Sequence, residues 1–323
     1  KVTKDENKDI IEGFSIVNPL LAAFAATVQY IFEEWLIYVL KEHLLDANHH
    51  YDGIVLSGGA ALNCPANQRL AELFNGNIFI ETSCNDEGLS FGALVACEFS
   101  IKAVNSLNDR ATKTVNRSPY QCSPPCNEEN IREYFDPELI SISRFCDDWT
   151  DVAEMLLANK IGFICRMNAE LGPRALGNRS IVALASDRQN HFRVNKIKSR
   201  ELWRPLAPIV LSTDFNDFFT GIPNPYMLMT NHVVSDRIPA VTHIDRSARV
   251  QVVDPSQTNF FKLLHTMREL ACDVPPVLIN TSLNGPSQPI LDDTLKVVKL
   301  MIDTKASFVV TDNYIITKKQ LEF

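Results

Sequence analysis

Leu171-Gly-Pro-Arg-Ala-Leu-Gly-Asn-Arg-Ser180 sets Arg174 and Arg179 five residues apart on a turn punctuated by glycine. An arginine fork grips paired phosphate or carboxylate oxygens, and glycine lets backbone N–H groups approach the same anion. The window around it points the same way. Arg166 to Arg204 carries nine basic side chains and three acidic ones, in a chain of 31 basic and 39 acidic residues. Such a local reversal of sign reads as a built anion site or as a solvated surface face with ordinary ion pairs. Lys198, Arg200 and Arg204 close the window, a mobile point charge beside two rigid forks, which suits a triphosphate or an acyl phosphate.

Four further segments carry chemistry. Gly58-Gly59, with Asn63 shortly after, lies between a strand and a helix, where a helix N-terminus favours phosphate or where the glycines merely bend the chain. Asp86, in the loop Cys84-Asn-Asp-Glu-Gly88, has the chemistry of a cation ligand, a ribose partner or a helix cap. Thr242 to Gln251 contributes Arg249, and Leu278 to Asn284 contributes Asn280 and Ser282, whose amide and hydroxyl can orient a phosphate or a carbonyl.

These residues need a scaffold, and the pattern supplies one. Asn18-Pro19 caps a helix running into the mid-forties, with Leu20, Phe24, Val28, Ile31, Trp35 and Val39 as a stripe facing a core. Gln29, Glu33 and Glu34 interrupt that apolar run, so it reads as a helix that does not span a bilayer. Strands are expected at 54–57 and 77–81, and helices from the glycine turn through Leu70 and from Leu89 to Ile101. Apolar periodicity fails from residue 102 to 129, which reads as a linker. Beyond it, strands are expected at 162–165, 181–185, 208–211, 250–253, 276–280 and 308–311, with helices at 149–159, 189–198, 259–271 and 292–303. The result is an α/β protein of two domains, 1–101 and 130–323, as its 323 residues suggest. The segment 215–233 reads as a lid, an interface loop or a surface hairpin.

A net charge of −8 argues against a general nucleic-acid or membrane-surface protein. Eight cysteines without a regular framework, and no signal peptide, fit reduced thiols in the cytoplasm.

Taken in order, GGAALNCPAN, CNDEGLSFGAL, GPRALGNRS, NKIKSRELWRPLAP, THIDRSARVQ and NTSLN resemble the carbamoyltransferases of nodulation and antibiotic biosynthesis, over about residues 19–318. The resemblance implies the C-terminal half of an actin-like domain followed by a YrdC-like domain. It also implies an ATP-dependent reaction in which carbamoyl phosphate and ATP give carbamoyl adenylate, and the carbamoyl group then passes to a hydroxyl of a small metabolite. By the same resemblance Arg174, Lys198, Arg204 and Arg249 neutralise the phosphates, and Asn280 and Ser282 position the carbamoyl end. Gly58, Gly59, Asn63, Arg179 and Arg200 hold the nucleotide, and Asp86 binds a divalent metal, Mg or Fe. The family's His-x-x-x-His metal pair has no counterpart among the seven histidines, so the remaining ligands are expected from a missing half-domain or a partner chain, with a homodimer as one arrangement. After Asn284 the family reads Gly-Glu-Pro where this chain has Ser287-Gln288-Pro289. The alternatives are a non-catalytic carbamoyl-phosphate or nucleotide-binding module that needs a partner, and a protein related to tRNA threonylcarbamoylation.

Overall fold

The computed structural model describes residues 18–44, 51–105, 118–120, 122–124, 127–128, 131–256 and 258–319. Asn18 caps the first helix, α1 (Pro19–Leu44), by accepting from the Leu20 N–H at 2.9 Å, with proline at the first helical position as the pattern requires. Strand β1 (Ile54–Leu56) then pairs in parallel with β2 (Ile78–Ile80), and α2 (Cys64–Leu73) and α3 (Leu89–Asn105) complete this first unit.

The orientation of α1 reverses the expectation. Its apolar stripe faces outward, with Leu20 79%, Phe24 69%, Ile31 58% and Trp35 59% exposed. Its polar side makes the contacts. Gln29 exchanges two amide hydrogen bonds with Asn63, and Arg69 of α2 forks onto Glu33 and Glu34. Directional bonds from the three polar residues that interrupt the stripe decide which face turns inward. By length and composition α1 is also long and apolar enough to cross a membrane.

The second unit is built on a mixed eight-stranded sheet. In chain order it comprises α4 (Ile131–Tyr134), β3 (Ile140–Arg144), α5 (Thr150–Leu157), β4 (Gly162–Cys165), β5 (Arg179–Leu184), α6 (Gln189–Ile197), β6 (Ala207–Leu211), α7 (Phe215–Phe218), β7 (Phe219–Thr220), β8 (Asn231–Val233), β9 (Ser247–Ala248), β10 (Gln251–Val253), α8 (Thr258–Leu270), β11 (Leu278–Ser282), α9 (Thr294–Asp303), β12 (Phe308–Val310) and β13 (Tyr314–Lys318). The spatial order is β10-β6-β11-β5-β4-β12-β13-β3, and β7, β8 and β9 form a separate antiparallel sheet. Strands β4, β5 and β6 are buried at every residue, as continuous apolar runs covered on both faces should be. Helices α5 and α8 cover one face, with Val152, Leu156, Leu263 and Met267 inside. Helices α6 and α9 cover the other, with Val194, Ile197, Val298 and Met301 inside.

Register brings the site residues to one end of this sheet. Strand β11 runs antiparallel to β5 and β6, placing Ser282 opposite Ser180 and Asn280 opposite Val182 and Ala207. The GPRALG run is the β4–β5 connection, so it lies against that same end. Strands β3 and β13 were not expected. The alternating Ile-Ser-Ile-Ser of β3 suits the edge it forms, and β13, between β12 and β3, buries Ile315 and Ile316.

The two units meet through 222–229. Asn224 Oδ1 accepts from the Tyr226 and Leu228 N–H groups, shaping a loop that inserts Leu228 beside Ala61, Ile80 and Cys84. Asn67 donates to the Leu228 carbonyl at 2.8 Å and the Cys64 thiol to that of Met227 at 3.4 Å. Two of the three readings of 215–233 combine in the structure: β7 and β8 pair as an antiparallel hairpin, and the loop between them is the interface loop. Part of the expected linker also docks, since Leu171 N–H reaches the Pro119 carbonyl at 2.6 Å and Cys122 N–H that of Ala169.

Candidate functional site

The motif loop 166–178 owes its shape to an internal carboxylate. Glu170 Oε1 accepts from the N–H groups of Leu176 at 2.6 Å, Asn178 at 2.8 Å and Arg179 at 3.3 Å. On its other side, Asn280 donates to the Ala175 carbonyl at 3.1 Å and Gln251 to the Leu176 carbonyl at 2.8 Å, while Asn280 also donates to Gln251 Oε1. Gly172 and Gly177 have φ of 109° and 123°, and a side chain at Gly172 would collide with the Thr82 carbonyl of the first unit. The loop is therefore pressed against the seam, and Arg174 projects from it.

Four cations follow one another along this seam as electrostatic neighbours. Lys198, at the end of α6, lies beside Arg200. Arg200 lies beside Arg204 and Arg249, and Arg249 beside Arg174. Arg174 in turn acts on Cys84, and Arg249 makes a side-chain hydrogen bond with Cys64, so two cysteines of the first unit border the row. Burial is the larger cause of the shifted proton affinities and like charge the smaller. Lys198 is pushed down to about 7 and Arg200 to about 10, and Arg249 is lowered as well. Among the described residues none of Lys198, Arg200, Arg174 and Arg249 has a carboxylate in a salt bridge. Lys198 instead donates to the Ser282 carbonyl at 2.6 Å, Ser282 Oγ at 3.0 Å and Asn284 Oδ1 at 2.5 Å, which are neutral acceptors. The Nε atoms of Arg174 and Arg249 and one terminal nitrogen of Arg200 are buried without a partner. Uncompensated positive charge in a partly dry seam is an arrangement that an anion stabilises.

A cavity of about 1140 Å³ lies between α6 and the 236–246 segment, and none of the four cations lines it. Its wall includes Trp203, Phe192, Arg188, Thr242 and His243. His243 is lowered to about 4 chiefly by burial, with Asp245 opposing and Arg249 adding to the shift.

Several expected ligands have other roles. Arg179 is fully buried and donates to the carbonyls of Arg166, Asn178, Met167 and Pro124, so it pins main chain and does not face a nucleotide. Asn63 caps α2 through the Ala66 N–H and pairs with Gln29, which occupies both ends of its amide. Gly58 donates to the Cys84 carbonyl, and Gly59 opens a four-residue 3₁₀ turn rather than an α-helix, so the helix dipole there is minimal. Asn280 holds the motif loop from within the core. Arg204 is half exposed and paired with Glu201 at 2.7 Å.

Asp86 does not make a metal site by itself. It is exposed on a three-residue turn, and among the described residues no three histidine, cysteine or acidic side chains gather closely enough to hold an ion. Gln288 departs from the family's glutamate without leaving a gap, because its Oε1 accepts from the Gly285 N–H and its carbonyl from Asn284, closing the turn after β11. Glu170 belongs to the Arg166–Gly172 run, which is two residues longer than the family's Arg-x-Glu-x-Gly approach and so leaves open in the sequence which carboxylate, if any, orients Arg174, while Gln251 carries no expected role. Glu170 lies four residues before Arg174, and Gln251 ends the THIDRSARVQ run, but neither position reveals which main-chain groups it reaches.

Residues 153–318 match the model of the carbamoyltransferase C-terminus, and residues 2–97 that of the carbamoyltransferase N-terminus. Nodulation protein NolNO of Sinorhizobium fredii is 32% identical over 321 aligned residues, covering 91% of this chain and 44% of that protein. Nodulation protein U of Rhizobium tropici is 30% identical over 276, covering 82% and 44%, and the uncharacterized protein MJ1051 of Methanocaldococcus jannaschii is 28% identical over 290, covering 85% and 52%. The chain thus spans about half the length of the curated relatives it matches. Among solved structures, T.kodakarensis HypF overlaps 62% of this chain and 28% of its own at 14% identity and a TM-score of 0.39, a likeness too slight to assign an activity. With both family models matched in order along it, the chain belongs to the carbamoyltransferase family.

Proposed function

We propose that this chain is part of an ATP-dependent O-carbamoyltransferase acting on a hydroxylated small molecule, and that its second unit, read as YrdC-like, makes the carbamoyl donor. The observation that carries this reading is the row Lys198, Arg200, Arg249 and Arg174, none of which has a carboxylate in a salt bridge among the described residues, although Glu201 acts on Arg200 electrostatically.

Carbamoyl phosphate is a poor donor to a neutral alcohol, and a mixed anhydride with AMP has a better leaving group. In the overall sum, carbamoyl phosphate, ATP and one water give carbamoyl adenylate, phosphate and pyrophosphate. The carbamate oxygen forms the new bond to the α-phosphorus as pyrophosphate leaves. The acceptor hydroxyl then attacks the carbamoyl carbon, AMP departs, and the hydroxyl proton is lost. Phosphoryl and acyl-phosphate chemistry depend mainly on charge stabilisation and alignment, which is what a fixed row of cations supplies. Arg174 and Arg249 hold the phosphate oxygens, Lys198 and Arg200 those of the nucleotide, and Ser282, through its contact with Lys198, sets where the ammonium stands. The actin-like first unit, completed by further chain or a partner, receives the donor. The single carboxylate of Asp86 does not make a metal shell, so no step is assigned to a metal here.

The test is formation of AMP and pyrophosphate by the intact protein. It is expected to require carbamoyl phosphate and to fall by about a hundredfold or more in Lys198→Ala. Undiminished turnover in that variant removes Lys198 from the site, and ATP binding without carbamoyl adenylate formation favours a non-catalytic module instead.

A further inference from the structure

Three backbone N–H groups of the motif, those of Leu176, Asn178 and Arg179, converge on one oxygen of Glu170. Converging amides on a glycine-bearing turn form a nest for an anion. In this chain the nest already holds an anion of its own. Glu170 is only 7% exposed: its Oε1 takes those three N–H groups, and its Oε2 is buried without a partner among the described residues. The neighbouring carbonyls are taken too, Ala175 by Asn280 and Leu176 by Gln251 and, at 3.4 Å, by the Tyr120 hydroxyl. Asn280 and Gln251 are themselves buried, 1% and 0% exposed, and bonded to each other at 2.7 Å. With three of the motif's N–H groups turned to Glu170 and the carbonyls of Ala175 and Leu176 held from the other side, the loop carries the Arg174 side chain, whose Nε is buried and unpartnered.

We propose that Glu170 is the positioning residue of the anion site, filling the motif's backbone nest so that the loop, backed by Gln251 and Asn280, presents the Arg174 guanidinium beside Arg249. The inference rests on the reading of the seam as an anion site. It gives the nest a different role from the one its glycines suggest: the amides bind the protein's own carboxylate, and recognition of the ligand falls to side chains.

The experiment uses this chain, inorganic phosphate as the probe and the ¹⁵Nε resonance of Arg174, assigned through Arg174→Lys. In the wild type this resonance shifts as phosphate is added. Glu170→Gln keeps an acceptor at Oε1 and removes the charge, so phosphate is expected to bind about tenfold more weakly while amide exchange at 176, 178 and 179 quickens. Gln251→Met removes the bond to the Leu176 carbonyl and is expected to weaken phosphate by about threefold. It carries the test if Glu170→Gln does not fold. Rebinding in the order wild type, Gln251→Met, Glu170→Gln is the signature of positioning, since a change of global stability alone leaves the affinity of the folded fraction untouched. Wild-type affinity and an unchanged Arg174 response in both variants overturn the proposal alone. Absence of any phosphate response in the wild type overturns the anion-site reading and this proposal with it.

Discussion

The two units of this chain solve the problem of burial differently. The second closes on itself: Phe163, Ile181, Ile209 and Val309 lie in its central strands at 0% exposure, with helices on both faces. The first leaves Val55 73% and Phe79 47% exposed on a two-stranded sheet, and its longest helix turns an apolar stripe outward. Its buried cluster is small, and one of that cluster's four buried members, Leu228, comes from the second unit. The contrast teaches that the seam is both a structural and a chemical boundary. The first unit draws part of its core from the segment that carries it, and the cations line up along that same contact.

Three substitutions would break or sharpen this contrast. Phe163→Ala empties a fully buried site in the larger core and is expected to cost about 3–5 kcal/mol, read as a lowered denaturation midpoint in urea. A cost under about 1 kcal/mol would mean that the second unit is not the self-sufficient one. Leu228→Ala removes the shared residue of the seam, with an expected cost of about 2–4 kcal/mol concentrated in the first unit. Hydrogen exchange should quicken at 78–80 and leave 179–184 unchanged, and uniform quickening would show that the two units unfold together. Phe79→Ala, on the exposed face of β2, is expected to shift stability by no more than about 0.5 kcal/mol, and a large loss there would reveal that this face is covered in solution.

Much of the second unit was legible because its signals are local. Runs such as Gly162-Phe-Ile-Cys165 and Ala207-Pro-Ile-Val-Leu211 are apolar throughout, as strands covered on both faces must be. The unexpected strands include β3, at the sheet edge, its neighbour β13, and the short β7, β8 and β9, segments whose mixed or brief patterns say little about pairing. The site was legible as a population of residues and not as a set of roles. Arg174, Lys198, Arg200 and Arg249 do lie along one seam, whereas Arg179 and Asn63, of equally suitable chemistry, turn toward main-chain carbonyls and a helix cap.

The sequence by itself determined the local reversal of charge, the order of strands and helices through the motif windows, the capping of α1 by Asn18, and membership of the family. Those depend on residue type and short spacing, which a chain displays before it folds. Only the tertiary structure decided that Glu170 fills the nest of the arginine loop, that Asn280 and Gln251 hold its far side, and that α1 turns its polar face inward. These choices depend on which distant donor reaches which carbonyl. Hydrogen bonds act over about 3 Å, so two residues that look equivalent in sequence acquire opposite roles once the chain is closed.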